Sequence, residues 1–124
     1  MKNTKKFRTI KEEEMFDSAP NLEYLRSFSM VVKYGSVAAA VNKSKLSLPT
    51  LSRHIKLLEA ELGASLFNRT NNGMVITEIG EQVYATSKIL FQTAADLRSD
   101  VLQSKASKSG IVKIVASTGI AAII

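Results

Sequence analysis

Apolar residues recur at Leu51, Ile55, Leu58 and Leu62, at spacings of four, three and four, with Ser47 ahead of the run and Gly63 directly behind it. Side chains at this spacing share one face of an α-helix, so the segment needs a core on that face and water on the others. Ser47 is of the residue type that caps a helix start. Pro49 fits the first turn, where a missing N–H sacrifices no intrahelical bond, and Gly63 is the usual stop. Thr50, Ser52, Arg53, His54 and Lys56 are left outside the stripe. A core for this helix must come from its neighbours in sequence.

Upstream, Leu22, Leu25, Phe28, Val31 and Val32 follow helical spacing until Tyr34-Gly35, which predicts a first helix of about a dozen residues. Ser36 is placed as the N-cap of a short second helix with Val37, Ala40 and Val41 on its inner face, where small side chains permit close approach. Asn42-Lys43-Ser44-Lys45 reads as a polar turn into the third helix. Downstream, Ser65-Leu66-Phe67 and Met74-Val75-Ile76 flank Asn71-Asn72-Gly73, the turn chemistry of a tight hairpin. Three helices plus a hairpin make a winged helix-turn-helix, mainly α, over residues 21–77.

Thr77 can cap a fourth helix over 78–106, whose stripe is Ile79, Val83, Leu90, Ala94, Leu97 and Val101, interrupted by Thr86. If helical to Lys105 it spans roughly 40 Å. The stripe has two candidate partners, the chain's own winged domain or a second copy of the chain, and its length favours the second copy, hence a homodimer. Residues 104–110 read as a hinge, 111–115 as a strand suited to a sheet interior, and 107–124 as the start of a further domain. Residues 1–20 mix Lys and Arg with Glu and Asp, lack helical apolar periodicity, end at Pro20, and read as a flexible N-terminal arm.

The net charge of +6 is unevenly placed: residues 21–70 carry seven Lys or Arg against three Asp or Glu, and residues 71–107 carry three against four. A basic excess gathered on the helix-turn-helix suits a polyanion. With no cysteine and one histidine, thiolate zinc sites and cysteine nucleophiles are excluded and a histidine metal cluster cannot form, so neither a cofactor nor an enzyme activity is expected. No stretch reaches transmembrane length and residues 1–18 lack an apolar signal core, which leads us to expect a cytoplasmic protein without a membrane partner.

The run Ser47-x-Pro49-x-Leu51-Ser52-Arg53-x-Ile55-x-x-Leu58-Glu59-x-x-Leu62-Gly63-x-x-Leu66-Phe67-x-Arg69 resembles the recognition helix and following turn of LysR-type transcriptional regulators. Leu25-x-x-Phe28, Gly35-Ser36 and Thr77-x-x-Gly80 agree, so that the resemblance covers about residues 22–118. It implies a winged helix-turn-helix with a linker helix that dimerises, and an effector domain of which this chain holds only the beginning. A small-molecule effector is accordingly expected only for a full-length form, and this chain is expected to bind DNA without inducer control. The chain departs from the family pattern at Leu48, where glutamine is usual, at Ser44, at Val41 and in the wing, Asn71-Asn72-Gly73-Met74.

A recognition helix enters the major groove of double-stranded DNA with its N-terminal turns. Ser47, Leu48, Pro49, Thr50 and Arg53 therefore occupy the reading position, and Ser52 beside them is a further candidate DNA-binding residue. Thr50 offers a hydroxyl to a base and a methyl to thymine; Arg53 either forks to guanine or pins a phosphate; Ser47 caps the helix or reaches a phosphate; Leu48 touches thymine methyls or covers the helix start. Lys56, Arg69, Lys43 and Lys45 are candidate backbone contacts, a solvated face being the alternative for each lysine, and Ser36 and Asn72 are further candidate DNA-binding residues. His54 is either a DNA contact or an exposed histidine without a role, and Glu59 and Glu61 read as helix surface. The alternative function is a winged-helix protein-interaction module that presents Leu48 and the third helix to a protein.

Overall fold

The structure, a computed structural model, describes residues 10–106. Seven elements follow one another: α1 (Glu12–Ser18), α2 (Leu22–Tyr34), α3 (Val37–Ser44), α4 (Leu48–Leu62), β1 (Phe67–Thr70), β2 (Gly73–Ile76) and α5 (Glu78–Ala106). The chain divides between Tyr84 and Ala85 into two compact units. The first holds the winged helix-turn-helix, with α2, α3 and α4 as its three helices. The described part of the second is the remainder of α5.

Within the first unit α2 packs on α3 and α4, and α3 on α4. Leu25, Phe28 and Val31 of α2, Ala40 of α3, Leu51, Ile55 and Leu58 of α4, and Leu66 beyond it are all buried. The Phe28 ring meets Phe67 at the start of the hairpin, 5.4 Å between centroids and tilted, which ties the wing to the same core. The starts of α3 and α4 and the ends of α2 and α4 form where expected and for the expected reasons. Ser36 Oγ accepts the Ala39 N–H at 3.0 Å and Ser47 Oγ that of Thr50 at 3.2 Å. Gly35 and Gly63 close α2 and α4 at φ 92° and 67°.

Four boundaries within residues 10–77 differ from the sequence reading. Residues 12–18, expected inside an irregular arm, form α1, in which Glu12, Glu13 and Glu14 in the first turn suit a helix N-terminus. The supposed polar turn at 42–45 is largely helical: α3 runs through Ser44, and Lys45 alone takes the left-handed turn at φ 64°. Ser65 and Leu66 are not strand. Leu66 is buried as a plug, and its carbonyl accepts the Thr77 N–H at 3.0 Å, so β1 begins at Phe67. Pairing of Thr70 with Gly73 leaves Asn71-Asn72 as the two-residue loop, with Gly73 at φ 117° opening β2.

The outermost members of two stripes are exposed. Leu22 is the first residue of α2, and Leu62, 38% exposed, is the last of α4, where Gly63 turns the chain away from the core. At the start of α5, Thr77 donates its hydroxyl to the Ser65 carbonyl at 2.8 Å and accepts the Gly80 N–H at 2.9 Å. A Cβ on Gly80 would collide with the Leu66 carbonyl and lie 2.7 Å from Ile76 Cγ1. Glycine is what lets α5 start this close to the base of the wing. α5 continues through Ala106, so the hinge expected from Ser104 begins inside the helix; the strand at 111–115 and the rest of 107–124 lie outside the described residues, as do residues 1–9 of the arm.

Candidate nucleic-acid interface

The contacts of α4 assign its faces. Leu51, Ile55 and Leu58 point into the core. One flank, His54 and Glu61, faces α2: His54 Nδ1 lies 2.7 Å from Ser27 Oγ, and Glu61 Oε1 accepts the N–H of Asn21, the α2 N-cap, at 3.0 Å. The other flank, Ser52, Lys56 and Glu59, faces the wing. Pro49, Arg53 and Lys56 are exposed, and helical periodicity puts Pro49 and Arg53 on the side away from the core.

Each candidate reader can now be placed. Ser47, Leu48 and Pro49 are exposed at the helix start, and Thr50 and Ser52 are half-buried. Ser47 acts as the cap and also gives its hydroxyl proton to Thr50 Oγ1 at 2.8 Å, which fixes the Thr50 side chain while leaving the Thr50 proton free to donate. Leu48 is 49% exposed and so does not seal the helix start. Ser52, Lys56 and Arg69 line one cleft of about 100 Å³ between α4 and the hairpin, together with Val37 at the first turn of α3 and with Glu59, Phe67 and Met74. Asn72 stands apart at the hairpin tip, where its N–H donates to Thr70 Oγ1 at 3.2 Å, and Ser36 is exposed as the cap of α3. Lys43 is held elsewhere, with its ammonium 5.8 Å from the Tyr34 ring centroid and Lys33 5.4 Å from the same ring.

The electrostatics follow from which helices lack acid. α2 and α5 carry glutamates in their first turns, whereas α3 and α4 carry none. The positive ends of the two helix-turn-helix helices are thus left uncompensated, a condition that favours an approaching anion. Among the described residues no group of three His, Asp or Glu side chains is placed to hold a metal ion, and no helix is long and apolar enough to cross a membrane.

Glu61 is exposed and Glu59 half-buried on the surface of α4, and each holds a backbone group that its place on the helix does not announce. Glu59 Oε2 accepts the N–H of Leu66 at 2.7 Å and that of Phe67 at 3.4 Å, which staples the connector to α4, and Glu61 anchors the start of α2. A carboxylate one turn ahead of the Gly63 stop is within reach of the segment that folds back past it, and that spacing was the available signal. His54 is half-buried against Ser27 and Tyr24, the latter ring 5.0 Å away, rather than an exposed histidine without a role.

Residues 22–81 match the family described as bacterial regulatory helix-turn-helix protein, lysR family. Among solved structures, the BenM_DBD/catB site 1 DNA complex is similar with a TM-score of 0.66 at 30% identity, over 70% of this chain and 98% of that one. The chain belongs to the lysR family. Its residues 22–81 are a LysR-type helix-turn-helix DNA-binding domain. CbnR, described as a LysR family transcriptional regulator, is similar with a TM-score of 0.61 at 26% identity, over 68% of this chain and 29% of that one. The RuBisCO operon transcriptional regulator of Allochromatium vinosum is 33% identical over 99 residues, 79% of this chain and 33% of that protein. The transcriptional regulator BudR of Klebsiella aerogenes is 40% identical over 77 residues, 61% of this chain and 54% of that one. The chain spans about a third of the length of most of the curated LysR-type relatives that it matches.

Proposed function

We propose that this chain binds double-stranded DNA sequence-specifically, as a homodimer, and regulates transcription in the cytoplasm rather than catalysing a reaction. The observation that carries the reading is the N-terminal half of α4. Pro49, Arg53 and Lys56 are exposed on it, its first turn carries no acid, and Arg69 stands across a shared cleft. Thr50 and Arg53 read bases, while Ser36, Ser47, Lys56, Arg69 and Asn72 hold phosphates and so position the domain. Two similar structures, of BenM_DBD with catB site 1 and benA site 1 DNA, support the choice of partner. The homodimer forms through Ile79, Val83, Leu90, Ala94, Leu97 and Val101 of α5; all but Val83 are exposed. An effector domain belongs to a full-length form, in keeping with the share of the relatives that the chain spans.

Selection from random DNA tests this reading: one motif, repeated as two half-sites, is the expected enrichment, and a pool that never departs from random sequence overturns it. Exposure of Leu48 at the head of α4 favours a second reading, a protein-docking module. In that case no motif enriches, and a Leu48→Glu variant loses a protein partner instead.

A further inference from the structure

We propose that Asn72 is a self-modifying site: the Gly73 nitrogen attacks its side-chain amide carbon, water completes the conversion to aspartate and isoaspartate, and the Thr70 hydroxyl is the latch that slows the reaction. The reaction requires no DNA and is independent of the reading above. Its basis is the hairpin loop, where Asn71, Asn72 and Gly73 are exposed and the Asn72 side chain makes no hydrogen bond among the described residues.

The chemistry needs an asparagine amide next to an unhindered peptide nitrogen. Once its proton is lost to solvent base, the Gly73 nitrogen bonds to Asn72 Cγ, and the Cγ–Nδ2 bond breaks with release of ammonia. The product is a cyclic succinimide. Water then adds to one of its two carbonyl carbons. Opening at the main-chain carbonyl gives isoaspartate, whose main chain runs through Cβ and Cγ, and opening at Cγ gives aspartate. No oxidant, metal or second protein takes part. The residue after the asparagine governs the rate, because its Cβ crowds the attacking nitrogen, and glycine has none. A Cβ built on Gly73 would meet nothing within 4 Å, so the surroundings leave the nitrogen open as well.

The other described asparagines lack one or more of these conditions. Asn21 is followed by Leu22, and its Oδ1 accepts the N–H groups of Glu23 and Tyr24 at 2.8 and 3.1 Å. Asn42, Asn68 and Asn71 are exposed but precede Lys43, Arg69 and Asn72, each of which has a Cβ. Within the loop one hydroxyl opposes the reaction. Thr70 Oγ1 accepts the Asn72 N–H at 3.2 Å and donates to the Gly73 carbonyl at 2.9 Å, which pins the chain on both sides of the Asn72–Gly73 peptide. Ring closure requires that peptide to turn about the Asn72 Cα–C bond. Thr70 and Gly73 are the last pair of the ladder, so the tip opens while the pairs of Phe67, Asn68 and Arg69 stay closed. Arg69 is the only charged residue between positions 67 and 76, and a carboxylate at position 72 offsets its charge. The isoaspartyl form also lengthens the loop by a main-chain methylene.

The test incubates the whole chain in neutral and in mildly alkaline buffer and follows each asparagine by peptide mass mapping, with isoaspartate counted by enzymatic methyl transfer to its free carboxyl. Asn72 is expected to gain the mass of an amide exchanged for an acid ahead of Asn21, Asn42, Asn68 and Asn71, and faster in the alkaline buffer. Isoaspartate is the expected larger product. Thr70→Val keeps the side-chain shape without the hydroxyl and is expected to convert faster than the parent, whereas Asn72→Gln, whose ring would be larger, is expected to stay unconverted at this position. An Asn72 that persists as long as the other asparagines overturns the proposal, as does a Thr70→Val chain that converts no faster than the parent. In the parent alone, urea releases the latch and is expected to speed conversion. A rate in buffer equal to that in urea overturns the proposal even if the variants fail to fold.

Discussion

Glu59 shows how one side chain sets the path of the chain. Its carboxylate receives two successive N–H groups at the point where Leu66 enters the core, and a buried N–H left without an acceptor is costly. Glu59→Ala is expected to destabilise the fold by about 1.5–3 kcal/mol, and Glu59→Gln, which retains a carbonyl oxygen, by less. Urea unfolding of the two variants checks the order. Residues that act by capping were readable from sequence: Ser36, Ser47 and Gly63 do locally what their types predict. Residues whose partner lies seven or more positions away were not. Glu59, Glu61 and His54 all look like surface on a helical wheel, because a wheel records which face a residue occupies and not what folds back onto that face.

At the level of elements, the helix-turn-helix was predictable because its three apolar stripes share one core, and the hairpin because Asn-Gly punctuates two apolar runs. The misplaced boundaries have a common cause. Ser65-Leu66 has the composition of a strand, yet tertiary burial of Leu66 takes it out of the ladder, and α1 forms in a segment with no stripe to announce it. The junction of wing and α5 yields a sharp expectation. Gly80→Ala should gain about 1 kcal/mol of helix propensity. It must nevertheless place a methyl against the Leu66 carbonyl and Ile76, an overpacking that costs about 1–3 kcal/mol. A net fall in thermal midpoint is expected; an unchanged or raised midpoint would mean that α5 can shift away from the wing freely.

For the molecule as a whole, the stripe on α5 was readable as unusual, since no single small domain covers a helix of 29 residues. In the structure Ile79, Leu90, Leu97 and Val101 are 40–60% exposed. A homodimer through this face should fall apart in a Leu90→Asp, Leu97→Asp double variant, measured by sedimentation, and a variant that keeps the mass of a dimeric parent places the seam elsewhere. What sequence reasoning about the site did not supply was the cleft that joins Ser52 and Lys56 to Arg69, because it depends on how the hairpin lies beside α4. The central claim is that the exposed head of α4 reads DNA. Its most direct measurement is the affinity of the parent and of Arg53→Ala for the selected site by fluorescence anisotropy between 50 and 200 mM salt, amounts chosen from the range over which phosphate contacts change affinity by orders of magnitude. The account predicts a linear fall of log affinity with log salt in the parent. In Arg53→Ala it predicts binding weaker by about 1–3 kcal/mol, with either one base position relaxed or a salt slope lower by about one. Equal affinity, equal slope and an unchanged motif in the two proteins would contradict it.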